Sequence, residues 1–189
     1  MESRTALCLA LMLWCVTIEV HCEYYTTMNS HSFYLQEKVT NLNFYIFDIL
    51  SGARPSAVEV AHANVNFTSP SATPFGSLYA IDDVLREGPT TDSKVIGNAK
   101  GMYLSASQLN DKLTLVMYID LGFTTGEFNG SSLSVFSRNP VTEPEREMAV
   151  VGGRGKFRMA RGFVQVRTYY LNTTNGDAIL HYNITAVHY

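Results

Sequence analysis

From Leu42 to Tyr189 the chain is a succession of short runs rich in Val, Ile, Phe, Tyr and Thr, each closed by a cluster of Gly, Pro, Asn, Asp or Ser. No stretch in that span keeps a helical period, so the pattern predicts an all-β fold. The runs are Leu42–Leu50, Val58–Phe67, Phe75–Val84, Val95–Ser107, Leu113–Phe123, Ser131–Ser137, Met148–Val151, Gly162–Leu171 and Asp177–Tyr189. About eight antiparallel strands with short connections hide their sheet edges either in a closed barrel or in a sandwich. A barrel of about that strand number encloses packed side chains or one small ligand. Inward polar residues line a site in the second case and are costly orphans in the first.

The segment ahead of these runs reads as a targeting sequence. Arg4 precedes the apolar run Ala6–Val16, and Val20 and Cys22 fit a small-residue cleavage pattern, so residues 1–22 are expected to be a signal peptide and the protein to be secreted. The apolar run is too short to span a membrane comfortably. Residues 23–41, polar and aromatic without period, are expected to form a flexible leader to a single domain at 42–189. All three cysteines, Cys8, Cys15 and Cys22, fall within the signal segment, which leaves the core to hold the exported fold without disulfides. Export makes the four Asn-x-Ser/Thr sequons, at Asn66, Asn129, Asn172 and Asn183, candidates for glycosylation. A net charge of −3 gives no broad electrostatic reason to expect nucleic acid or an anionic membrane as partner.

Two turns stand out. Gly152, Gly153 and Gly155, between the apolar run Met148–Val151 and the basic segment that follows, are expected to supply the positive φ of a sharp reversal. Asn175-Gly176 suits a primed hairpin turn between the last two strands.

The chemistry rests on few residues. Alternation puts Phe44, Ile46 and Asp48 on one face of the first strand, with Tyr45, Phe47 and Ile49 on the other. Both faces are mostly apolar, so the Asp48 carboxyl is expected to be desolvated and protonated unless a cation stands near. Such a group suits general acid catalysis, and a structural Asp that caps a turn or pairs with a cation reads equally well. Arg146 is placed to reach over the end of a sheet or into its interior. Glu143, Glu145 and Glu147 around it offer an ordinary surface salt bridge instead. Asn139 either donates to an oxygen or caps its turn; Tyr103 either packs as an aromatic or presents a hydroxyl that needs a partner when buried. No cysteine nucleophile, Gly-x-Ser-x-Gly elbow, metal-binding histidine spacing or phosphate loop is present outside the signal segment. No second carboxyl stands out to complete a glycosidase pair.

Phe44–Ile49, Val150-Val151-Gly152-Gly153-Arg154-Gly155, Phe157–Gly162 and the terminal His188-Tyr189 together resemble the plant dirigent protein family over nearly all of Leu42–Tyr189. The resemblance implies an eight-stranded antiparallel β-barrel, homotrimer assembly, secretion to the apoplast or cell wall, and a cavity for a small phenolic substrate. It matches Asp48 to the family's first-strand acid, Arg146 to its cavity arginine and Tyr103 to a cavity tyrosine. It also places Phe44, Ile46 and Ser105 at substrate-binding positions. Asn139 stands where members that direct monolignol coupling have a second aspartate, and Ser105 where they have a second tyrosine. Phe75–Asp83 and Val95–Tyr103 resemble the legume branch of isoflavanol dehydratases that form pterocarpans. That branch implies water loss through a quinone methide and stereoselective ring closure, with no cofactor because no net redox change occurs. The alternative is a director of phenoxy-radical coupling that depends on an external laccase or peroxidase.

Overall fold

The structure is a computed structural model and describes residues 36–64, 73–108 and 112–189. Among the described residues nine strands follow one another: β1 (Lys38–Asp48), β2 (Ala57–Ala61), β3 (Leu78–Arg86), β4 (Val95–Ser105), β5 (Thr114–Phe123), β6 (Ser132–Pro140), β7 (Arg146–Arg154), β8 (Arg161–Leu171) and β9 (Ala178–His188). All neighbours are antiparallel, in the order β1-β9-β8-β7-β6-β5-β4-β3-β2. The sheet then closes on itself. Tyr45, Ile46 and Phe47 of β1 pair with Arg86, Leu85 and Val84 of β3, and β2 takes the rest of the same β3 edge through Ala57↔Ile81 and Val58↔Ala80. β1 and β2 thus share one position around a ring of eight, and the sandwich alternative falls away.

Period-two alternation decides what lies inside. In β3 it turns Tyr79, Ile81, Asp83 and Leu85 inward, in β5 Leu115, Met117, Ile119, Leu121 and Phe123, and in β7 Arg146, Met148 and Val150. One end of the barrel is filled with aromatic rings. Phe157 is fully buried, stacks on Phe128 at 4.7 Å and meets Phe123 at 5.9 Å. Phe44 continues the stack between Phe123 and Tyr182, at 6.0 Å from each.

Three sequence expectations change. β1 begins at Lys38, four residues before the expected boundary at Leu42 (42 − 38), because Lys38–Asn41 pair in register with His188–Thr185 of β9. Gly152 and Gly153 remain in strand β7; the positive φ angles belong to Gly155 and, two residues beyond the 3-10 turn Gly155–Phe157, to Met159. Val151 is the extra residue of a bulge, since Ser134 pairs with Gly152 and Val135 with Val150. Gly153 is required for a different reason: a Cβ there would sit 2.5 Å from the Phe157 carbonyl oxygen. The last hairpin uses a wider loop than a two-residue primed turn. Gly176 alone has positive φ, Asn172 and Asp177 are joined backbone to backbone at 2.8 Å, and the Asp177 side chain is drawn to Leu50 and Ser51. The signal segment 1–22 and the sequon at Asn66 lie outside the described residues.

Phe157→Ala removes the ring on which the closed end is packed. It is expected to lower unfolding free energy by about 3–5 kcal/mol in urea titration, while residues at the opposite end keep their environment.

Candidate active site

The end of the barrel opposite the aromatic plug opens into a cavity of about 310 Å³. Asp48 at the end of β1, Tyr103 near the end of β4, Asn139 near the end of β6 and Arg146 at the start of β7 all line it. Leu115, Met117, Ala178 and Leu180 supply apolar wall, and Thr73, Thr173 and Gly176 stand on the loops around it. The volume lies at the lower end of the roughly 300–1,000 Å³ usual for small-molecule sites.

Three of these side chains carry buried polar atoms that find no hydrogen-bond partner among the described residues. They are Asp48 Oδ1, Asn139 Oδ1, and Nε and Nη2 of Arg146. Arg146 is only 3% exposed and donates through Nη1 to the Val141 carbonyl at 3.0 Å. The surface salt bridge offered by its acidic neighbours does not form, and Glu145 pairs with Arg167 instead. Asn139 donates to the Met117 sulfur at 3.4 Å, a weak acceptor. Buried polar groups normally find partners, so three such residues facing one cavity mark it as a place for a polar ligand.

The electrostatics separate the groups. Burial first, and the negative charge of Asp177 second, raise Asp48 to about 7. Arg146 lines the same cavity without forming an ion pair with it, and burial draws the guanidinium below its usual range. Burial, reinforced by the charge of Asp48, pushes the Tyr103 phenol well above its ordinary range, so it remains a neutral hydroxyl. Its ring stacks on Tyr79 at 4.9 Å, so Tyr103 fills both roles the sequence left open.

The remaining expected positions do not gather here. Phe44 sits deep in the core among Phe123 and Tyr182. Ile46 lines a small recess beneath the cavity, beside Asp48, Asp83 and Tyr103. Ser105 is fully buried and spends its hydroxyl on the Thr73 carbonyl at 2.9 Å, off the cavity wall. Asn129 and Asn183 are exposed and Asn172 half-buried. One residue was missed altogether. Asp83, 2% exposed, is a second buried carboxyl beside Asp48, raised to about 9 by burial and then by the charge of Asp48. The alternation of Tyr79, Ile81, Asp83 and Leu85 carried the signal, since of the two adjacent residues Asp82 and Asp83 one must face inward.

A closed eight-position antiparallel barrel, plugged at one end and cupped around an acid and an unpaired cation at the other, defines a single-domain barrel of the small-ligand class. The Dirigent-like protein profile matches residues 39–187, and the chain belongs to that family. Dirigent protein 15 of Arabidopsis thaliana is 57% identical over 156 residues, 82% of each chain. Pterocarpan synthase 1 of Glycyrrhiza echinata is 44% identical over 172 residues, 90% of this chain and 89% of that one. The solved structure of a pterocarpan synthase dirigent protein superposes with a TM-score of 0.80 at 44% identity, covering 88% of this chain and 99% of the other.

Asp48 and Asp83 hold their protons more tightly folded than unfolded. The folded state therefore binds more protons above about pH 4, and stability should fall as pH rises through the window ending near 7 for Asp48 and near 9 for Asp83. Thermal melts from pH 5 to 9 should show that decline, and Asp83→Asn should flatten its alkaline part.

Proposed function

We propose that this protein removes water from a phenolic isoflavanol and closes the resulting quinone methide to a pterocarpan. The carrying observation is that a neutral-leaning acid with a free oxygen, Asp48, and an unpaired buried cation, Arg146, line one cavity. Asp48 gives its proton to the benzylic hydroxyl, whose C–O bond breaks to release water. The conjugated phenol is bound as its phenolate, held by the Arg146 guanidinium with the Tyr103 hydroxyl and the Asn139 side-chain amide beside it; its charge moves into the ring as the C–O bond breaks to give the quinone methide, and ring closure restores the phenolate. A second phenol of the same molecule then adds to the electron-poor carbon, and its proton returns to Asp48. Electrons and protons balance within the substrate, so no cofactor enters. A fixed cation aimed at the phenolate oxygen is worth about 3–4 kcal/mol to such a transition state.

Two findings support this reading over coupling of radicals made by an external oxidase. Pterocarpan synthases stand among the relatives over most of the chain, and the cavity volume suits one small aromatic molecule rather than two. Incubation of enantiopure isoflavanol with protein alone should yield pterocarpan. Product only when a laccase or peroxidase is added would establish the coupling role instead. Arg146→Leu should cut kcat by about 100- to 1,000-fold with the barrel still folded, and Asp48→Asn should lower kcat far more than it alters KM.

Export, glycosylation of the sequons and assembly as a homotrimer belong to the same proposal. An outward row of Val58, Ala80, Met102, Tyr118 and Phe136 runs in register across five strands. Met102 is 49% and Phe136 53% exposed. Covering that row with a second copy removes apolar surface from water. Phe136→Glu is expected to reduce the mass seen by light scattering to that of one chain, and an unaltered trimer mass would exclude this face.

A further inference from the structure

Asp83 is a buried carboxyl that the proposed chemistry leaves unused. One step beyond Phe47↔Val84, the β1–β3 register sets Asp48 opposite Asp83, and alternation turns both side chains inward. Residues directly opposed on neighbouring strands have Cβ atoms about 4.5–5.5 Å apart. The two carboxyls line the same small recess beneath the cavity. Ser56 fixes their relation: its hydroxyl lies 2.6 Å from Asp83 Oδ1, accepts the Ile49 amide at 2.9 Å and stands 3.3 Å from the Phe47 carbonyl. One hydroxyl thus ties Asp83 to the backbone on both sides of Asp48.

The ionisable groups facing this pair do not neutralise it. Tyr103 faces it from β4, Tyr182 from β9 and Asp177 from the loop before β9. Arg146 on β7 acts on Tyr182 but forms no ion pair with either carboxyl, and Asp82 points outward to Lys100 at 3.0 Å. Two uncompensated carboxylates at such spacing in a buried recess do not both ionise readily.

We propose that Asp83 is a positioning residue for Asp48, the two carboxyls holding one proton between them so that the cavity keeps an acid after the pair has lost its first proton. The inference rests on Asp48 being the acid of the dehydration. In each turnover the pair gives one proton to the departing hydroxyl and recovers one from the phenol that closes the ring. Burial supports this arrangement by lifting Asp48 to about 7 and Asp83 to about 9.

The test reads the pair with and without substrate. In carbon-13 NMR of the full chain with labelled aspartate, each of the two carboxyl signals should show both steps, because coupled sites titrate as a unit. In Asp83→Asn the Asp48 signal should show a single step, and the upper limb of the kcat profile should move down by about one pH unit or more. A structural Asp83 would change stability or overall rate without moving that limb. Independent one-step titrations in the wild type, or a limb in Asp83→Asn that superimposes on the wild type, would overturn the proposal; if Asp83→Asn does not fold, the wild-type titration decides alone. A wild type that never turns over isoflavanol sinks the dehydratase reading, while the NMR curves still decide the pair.

Discussion

Closure of the sheet by three residue pairs between β1 and β3 is the constraint on which the rest depends. Without it the outer strands would present unpaired backbone groups to solvent and to other chains. With it the strands acquire an inside, and alternation becomes a rule about what is buried. Closure also brings the ends of β1 and β3 together, which sets the Asp48 and Asp83 carboxyls side by side although 35 positions separate them in the chain (83 − 48). β2 completes the β3 edge that β1 leaves, and the loop between them delivers Ser56 to the Asp83 carboxyl and to the backbone on either side of Asp48.

The barrel divides its interior into two environments of opposite use. Phe44, Phe123, Phe128, Phe157 and Tyr182 fill one end, where dense packing contributes stability. The other end is left with smaller side chains and the polar quartet Asp48, Tyr103, Asn139 and Arg146. The same burial that makes the plug favourable makes the quartet costly, since it raises the carboxyl and phenol and lowers the guanidinium. A stable plug offsets an unsatisfied cup. This division lets one small domain be firm enough to fold while keeping a polar cup open to a ligand.

Much of this was legible in the residues. Each expected run holds a strand among the described residues, although Val58–Phe67 keeps one only to Ala61 and its last three residues lie outside them, because period-two patterning and turn clusters are local properties. Asp48 was legible as well, by its parity with Phe44 and Ile46; Arg146 was legible only as a cation at the edge of an apolar run, with a surface salt bridge equally open, until the family resemblance matched it to the cavity. What misled was local chemistry overruled from afar. Gly153 looked like a turn glycine but serves the close approach of the Phe157 carbonyl. Asn175-Gly176 looked like a primed turn, yet Asp177 is held by Leu50 and Ser51 from another strand end. Phe44 shares the face of Asp48 but lies deeper in the barrel, at a level occupied by the plug.

The sequence by itself determined the strand content, the face on which each side chain falls and the family to which the chain is similar, because alternation and turn chemistry are written in neighbouring residues. Only the tertiary structure decided that the sheet closes, how deep along the barrel each inward residue sits, and which inward residues meet. The reason is that closure fixes register between strands distant in sequence. Burial without a partner, which raises the acid and leaves the arginine unpaired, is a property of that enclosure and of no single segment.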